Sequence, residues 1–276
     1  MNLDCPNINY FDIIFTIKSH MRDKSMFENK SVMCKVLLRY FIYDYYARSH
    51  QLYTLPMESF EEKEKNFLLD LYSNHFANNK KEAYKYYEEL FKHTKNGLCP
   101  TCALNQASEL DHFLPKSKYP EFSIFLRNLI PICHNCNHLK NNNTSIRFLH
   151  SYYDDIDQFE LLQARIEIRE QVVLWNFYVQ DGEFDYYYFR AYKDMFNFLR
   201  LGECYNMRAT DEFMGFYITV KALIQNKGKS NRKILEQIIN QNVQLYVNQF
   251  GQNYWKSVFY RTLLVNLDDI FNWECL

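Results

Sequence analysis

Residues 97–140 read GLCPTCALNQASELDHFLPKSKYPEFSIFLRNLIPICHNCNHLK. Two Cys-x-x-Cys pairs bracket this stretch, Cys99 with Cys102 and Cys133 with Cys136, and 30 residues separate the inner two cysteines. Each pair lets two thiolates face one ion from a tight knuckle. Two such pairs complete a tetrahedral sulfur shell, which suits Zn²⁺. Four thiolates leave no open position, so the zinc is expected to be structural. A single pair could be a redox motif, but two pairs without a surrounding βαβ pattern read as metal ligands. His134, inside the second pair, is a candidate substitute ligand and is expected on the exposed knuckle.

Between and after the pairs lie the residues that suggest chemistry: Glu109-Leu-Asp-His112 running on to Lys118, then Asn128-Leu129, then Asn137-x-x-Lys140. Hydrolysis of a phosphodiester needs a water nucleophile, a base, and a cation to stabilise charge on the phosphate. Histidine is the side chain best suited to take that proton near neutral pH. On a regular strand Asp111 and His112 would point to opposite faces. For both to serve one ligand, a bend or a metal-bound loop is needed at the strand end.

Taken together, Cys99–Cys102, Asp111-His112, Asn128-Leu129, Cys133–Cys136 and Asn137-x-x-Lys140 resemble the HNH endonuclease family in its four-cysteine, zinc-bound form. The resemblance covers under a fifth of the chain. It implies a ββα-metal finger in which His112 is the general base and Asp111 helps hold the catalytic metal. It implies that Asn128 fixes the histidine loop by hydrogen bonding, and that Asn137 supplies an oxygen to the metal. Asp and Asn oxygens favour a hard cation, Mg²⁺ or Mn²⁺. His138 is the alternative ligand and would admit softer metals; the spacing from Asn137 to Lys140 matches the family pattern and favours Asn137.

Charge agrees locally. Between residues 91 and 150, seven basic side chains (Lys92, Lys95, Lys116, Lys118, Arg127, Lys140, Arg147) face three acidic ones (Glu109, Asp111, Glu121), while the whole chain carries a formal charge of −1. Lys116, Lys118 and Lys140 are the candidate phosphate contacts. A polybasic coat is excluded by the overall balance, so any nucleic-acid site must be local.

Working outward, residues 1–96 read as a helical region. Leu37, Leu38, Phe41, Ile42 and Tyr45 recur at three- and four-residue steps and predict one apolar helix face. Ser59 to Glu62 fits a capping box. Glu88 and Lys92 are spaced for an ion pair on a helix, which Gly97 would then end. Beyond the finger, residues 151–276 read as strands followed by helices. Ala164 to Ile168 alternates, Val172 to Val179 is branched and aromatic, and Asp181-Gly182 supplies a turn, which predicts two or three strands. Helical patterns return from Tyr192, with a break at 226–230. Trp175, Trp255 and Trp273 are expected to pack in the core. The expected class is therefore α+β and mainly helical, with a central finger at 97–150.

Of the eight cysteines, Cys5, Cys34, Cys204 and Cys275 lie among apolar residues and are expected to be buried thiols. No apolar run approaches a membrane span, since Val36 to Ala47 is broken by Arg39 and Asp44. No basic segment precedes an apolar one at the start, so a cytoplasmic protein is expected. The predicted activity is a metal-dependent endonuclease on DNA, with RNA not excluded. The competing reading is a non-catalytic zinc module that binds nucleic acid or a protein. Asp111, His112, Asn128 and Asn137 together favour the nuclease, because a binding module has no need of all four. The segment Phe148 to Asp155 resembles, more loosely, HNH effector nucleases of prokaryotic anti-phage defence. That likeness implies an ATPase or sensor partner, with the aromatic helices before residue 96 as a docking surface or as plain core.

Overall fold

Asn9 starts the first helix, its side-chain oxygen taking the Phe11 N–H at 3.0 Å. That helix, α1, spans Tyr10–His20 and is followed by the single turn α2, Ser25–Glu28, and by α3, Lys30–Arg48. Asn29 caps α3 by accepting the Val32 N–H. The computed structural model describes residues 1–141, 146–169, 172–180, 186–226 and 228–273. The expected turn at Asp181-Gly182, Lys227 of the 226–230 break, and Cys275 lie outside these.

Helix α3 corrects one expectation. Leu38, Phe41 and Tyr45 are 60%, 75% and 69% exposed, while Val32, Val36, Tyr40, Tyr43 and Ala47 are buried. Both faces are apolar, so spacing alone could not choose between them. The larger core decides: Tyr40 stacks on Phe125 at 4.1 Å and Tyr43 meets Phe122 edge-on at 4.9 Å. Arg39 lies on the buried face because Glu121 accepts its Nε–H at 2.9 Å, neutralising a charge that could not be buried alone.

Helix α4 spans Glu62–Asp70. Its capping box is formed by Glu61 and Glu64 rather than by Ser59 and Glu62, because the chain stays extended through Glu61. The helix then widens into a π-helical turn over Leu71–Phe76, which buries Leu71, Tyr72 and Phe76. Helix α5, Tyr84–Phe91, ends before Gly97. Lys92 pairs with Glu89, one residue nearer than expected, at 2.6 Å. Gly97 instead closes a short 3₁₀ turn, at φ +72°.

Strands β1 (Glu109–His112) and β2 (Leu129–Ile132) then pair antiparallel, with Glu109 opposite Ile132 and His112 opposite Leu129. Pro131 is tolerated because, among the described residues, the sheet has two strands, leaving an edge where no N–H is needed. Helix α6, His134–Lys140, follows directly.

By internal packing, residues 2–145 and 150–154 form one compact unit, and residues 146–149 with 155–276 form the other. The helical region before residue 97 and the cysteine-bearing segment therefore share one body, with a core that runs from Ile13 on α1 to Leu129 on β2. Each fully buried Phe or Ile there contributes roughly 1.5–3 kcal/mol.

In the other unit, β3 (Leu162–Arg169) and β4 (Val172–Val179) form an antiparallel pair. Helices α7 (Tyr186–Phe198), α8 (Leu201–Gln225), α9 (Lys229–Phe250), α10 (Trp255–Val265) and α11 (Leu267–Asn272) complete it. All three tryptophans are buried here, with Trp175 stacked on Phe259 at 4.6 Å. The Asn253 side chain staples the entry to β3: it accepts the Leu161 and Leu162 N–H groups and donates to the Ile156 and Phe159 carbonyls. The chain is α+β and mainly helical, with 58% helix and two small sheets among the described residues. Among the described residues no helix is long and apolar enough to cross a membrane. Cys5 and Cys34 are exposed and Cys204 is half-buried, contrary to the buried thiols expected; an apolar neighbourhood in sequence does not fix which way a thiol faces.

Candidate functional site

The two cysteine knuckles close on one point. The first is a tight turn in which the Ala103 N–H reaches the Cys99 carbonyl at 2.8 Å, with Ala103 at positive φ. The second is the start of α6, where Cys133 is the N-cap and its carbonyl takes the Asn137 N–H. All four sulfurs are buried and lie within 4.8 Å of one another. Cys102 Sγ and Cys133 Sγ are 3.8 Å apart. A tetrahedron with zinc–sulfur bonds of about 2.3 Å has edges of about 3.8 Å, whereas a disulfide would bring two sulfurs to about 2.05 Å. The cluster fits a four-cysteine metal site such as zinc. Crowding of four thiols lowers Cys99 and Cys133 and raises Cys102 and Cys136; a dication would let all four ionise.

Beside this cluster is a cleft of about 330 Å³ lined by Glu109, Asp111, His112, Lys116, Asn137 and His138, among others. The pleat of β1 puts Glu109 and Asp111 on one face, and His112 reaches the cleft because the strand ends there. His112 is buried. Its Nε2 lies 2.9 Å from the Ser123 carbonyl, which can only accept, so Nε2 carries the proton and Nδ1 holds the lone pair. Burial pushes the imidazole down to about 3, so it is neutral at pH 7. The Tyr72 ring stands edge-on to it at 4.5 Å, and the Lys116 ammonium sits over the Tyr72 face at 4.2 Å. The π-helical turn after α4 thus helps to build this wall of the cleft.

Asp111 is buried enough that its carboxyl is raised above the usual range, with Lys140 opposing that shift. The Lys140 ammonium donates to Asp111 Oδ2 at 2.5 Å and to the His112 carbonyl at 3.2 Å. Lys140 is only 4% exposed. Its expected role as a phosphate contact is therefore corrected: the helix turn that carries it faces inward, and the ammonium ties α6 to β1. Lys118 is exposed and Lys116 half-buried.

Glu109 was named in the sequence but given no role, although its place two residues before Asp111 on a strand is a signal for a shared face. It accepts the Asn137 Nδ2–H at 2.5 Å and lies 2.7 Å from His134 Nδ1. The Asn137 hydrogen bond is the main reason its carboxyl titrates low. With its Nδ2–H on Glu109, Asn137 keeps its amide oxygen as an acceptor. His134 is exposed and His138 stacks near it, with ring centroids 6.1 Å apart. Glu109, Asp111 and Asn137 together line the cleft with oxygen-bearing side chains.

Asn128 does not line this cleft. It is 0% exposed, and its side chain brackets Leu114, accepting the Leu114 N–H at 2.8 Å and donating to the Leu114 carbonyl at 3.0 Å. It also donates to the Phe122 carbonyl, next to the Ser123 carbonyl that receives the His112 proton. Asp111, His112, Asn137 and Lys116 are thus brought together, Asn128 stands behind them, and Lys118 is not among the cleft-lining residues.

No protein-family model matches the chain, and no solved structure matches it. It is 40% identical over 68 residues to "Protein ea31" of Escherichia phage lambda, a match that spans 24% of this chain and 23% of that protein. The name states no activity.

Proposed function

We propose that residues 97–150 form an HNH (ββα-metal) endonuclease centre that hydrolyses phosphodiester bonds of DNA. The observation that carries this reading is the cleft itself: Asp111, His112 and Asn137 line it together, beside four cysteine sulfurs spaced for zinc. The β1, β2, α6 succession supplies the scaffold, with the sulfur cluster at the base of α6.

Each side chain then has a role. His112 is the general base: its Nε2–H is held by the Ser123 carbonyl, so Nδ1 is the atom that accepts a proton from water. Asp111 and Asn137, joined by Glu109, would hold a divalent cation. When bound, the cation offsets negative charge that builds on the phosphate. Lys116 and Lys118 hold the backbone of the nucleic acid. Lys140 keeps the Asp111 charge compatible with its burial. The cysteine site is structural zinc and takes no part in the reaction. By its resemblance to HNH effectors, the protein acts in anti-phage defence, with an ATPase or sensor partner.

The test is cleavage of supercoiled plasmid by purified protein with Mg²⁺ or Mn²⁺, beside His112→Ala, with zinc measured in both. Cutting by wild type alone, at equal zinc content, supports the reading. Equal cutting by both proteins removes His112 from the mechanism. No cutting of DNA or RNA, alone or with the partner, leaves the zinc-binding module as the better account.

A further inference from the structure

We infer that His150 is a positioning residue for this centre, acting through Tyr43 and Asn128 on the loop that follows His112. The inference rests on the nuclease reading for its catalytic consequence and on hydrogen-bond geometry for its structural one.

His150 lies beyond the cysteine segment in sequence, yet it is buried in the same compact unit. The Tyr152 N–H points at its Nδ1 at 3.2 Å. An N–H can only donate, so Nδ1 is the acceptor and Nε2 carries the proton. Nε2 lies 3.0 Å from the Tyr43 hydroxyl, which must therefore accept. Tyr43 in turn directs its own proton to Asn128 Oδ1 at 3.2 Å, with the Arg127 carbonyl at 3.4 Å as a second acceptor. Asn128 Oδ1 also receives the Leu114 N–H, so two donors meet the amide oxygen. The amide nitrogen meets two acceptors, the Leu114 and Phe122 carbonyls. A flipped amide would face donors with donors and acceptors with acceptors.

The chain of donors thus runs one way, from the Tyr152 N–H to the Asn128 amide. Its far end braces both sides of His112. Leu114 lies two residues after it, and Phe122 precedes the residue whose carbonyl takes the His112 proton. The near end is anchored as well. The His150 N–H reaches Asp154 Oδ2 at 2.7 Å, and Asp154 Oδ1 meets His50 Nδ1 at 2.8 Å. The His150 ring also packs 4.3 Å from the Phe113 ring, directly after His112. A protein needing only to fill this space could use an apolar side chain. A directed chain of donors sets an orientation.

The test compares Tyr43→Phe, His150→Leu and His150→Gln with wild type and His112→Ala. Two readouts are taken on the full chain: hydrogen exchange at the Leu114 amide, and kcat and KM for plasmid nicking. We expect Leu114 exchange to accelerate about tenfold in Tyr43→Phe and His150→Leu. We expect kcat to fall about tenfold or more in both, with KM within about twofold. His150→Gln, whose amide N–H can still reach Tyr43, should keep kcat within about threefold. Tyr43→Phe removes one hydroxyl and keeps the ring, so it serves if His150→Leu does not fold. Unchanged Leu114 exchange in Tyr43→Phe overturns the inference. So does a His150→Gln protein as impaired as His150→Leu, because donation would then be irrelevant. If wild type cuts nothing, the nuclease reading fails, while the exchange data still decide whether His150 orders the loop.

Discussion

Replacing Asn128 with alanine tests how the region around His112 is held. The Asn128 side chain is fully enclosed and serves four groups: the Leu114 N–H at 2.8 Å, the Leu114 carbonyl at 3.0 Å, the Tyr43 hydroxyl at 3.2 Å and the Phe122 carbonyl at 3.3 Å. Alanine leaves all four without this partner. Two retain another acceptor or donor nearby: the Tyr43 proton can turn to the Arg127 carbonyl, and the Phe122 carbonyl already takes the Phe125 N–H. The two Leu114 groups bear most of the loss. At about 1–3 kcal/mol for each buried group stranded, the cost is about 2–6 kcal/mol. Urea unfolding followed by far-UV circular dichroism measures it. Asn128→Asp is the control: it keeps an oxygen for the Leu114 N–H but turns a carboxylate toward two carbonyls, so it should be no more stable than alanine. A loss below about 1 kcal/mol in Asn128→Ala, or a stable Asn128→Asp, would refute the claim that directed hydrogen bonds order this segment.

Other outcomes follow from the same geometry. Metal analysis should find one zinc per chain, and Cys133→Ser should lose it together with the fold of residues 97–140, since such sites supply folding free energy on the order of 10 kcal/mol. Lys140→Met should cost about 3–5 kcal/mol in thermal or urea unfolding, because it strands the buried Asp111 carboxylate; raising Mg²⁺ should restore part of that loss. Burial holds the folded His150 imidazole down to about 3, against 6.5 when unfolded. Between those values the unfolded chain binds the extra proton, so stability is present above pH 6.5 and falls as pH drops, by about 1.4 kcal/mol per unit from this group. His150→Gln should flatten that slope by about the same amount; an unchanged slope would show that His150 titrates normally.

The residues of the cleft were legible in sequence to different degrees, for reasons that are physical. The four cysteines could be read because a tight knuckle brings two sulfurs together whatever surrounds it, and their spacing alone carried the chemistry. Glu109 was legible through the period of a strand but was given no role. Lys140 was named for its charge, but its partner lies 29 residues away, and charge does not say whether an ammonium meets solvent or a buried carboxylate. Tyr43 and His150 stand 107 positions apart; His150 lies in the segment Phe148 to Asp155 that carries the looser resemblance, but no local pattern links it to Tyr43, and only the folded chain joins them. Helix α3 shows the opposite difficulty. Its sequence is apolar on both sides, so the periodicity was present but gave no preference for the face built on Val36, Tyr40 and Tyr43 over that of Leu38, Phe41 and Tyr45. The outlying strands were read with fair boundaries because β-branched and aromatic runs are local signals.

The short segment 150–154 belongs to the unit of the cleft, while its neighbours on either side in the chain belong to the other unit. A recombination event that copied only residues up to 145 would carry every cysteine of the cluster and every cleft residue, yet would leave behind His150 and also Tyr152, whose hydroxyl donates to the Leu129 carbonyl on β2. The cysteine-bearing segment taken without residues 150–154 would thus lose partners that its own residues and the helices before it now hold.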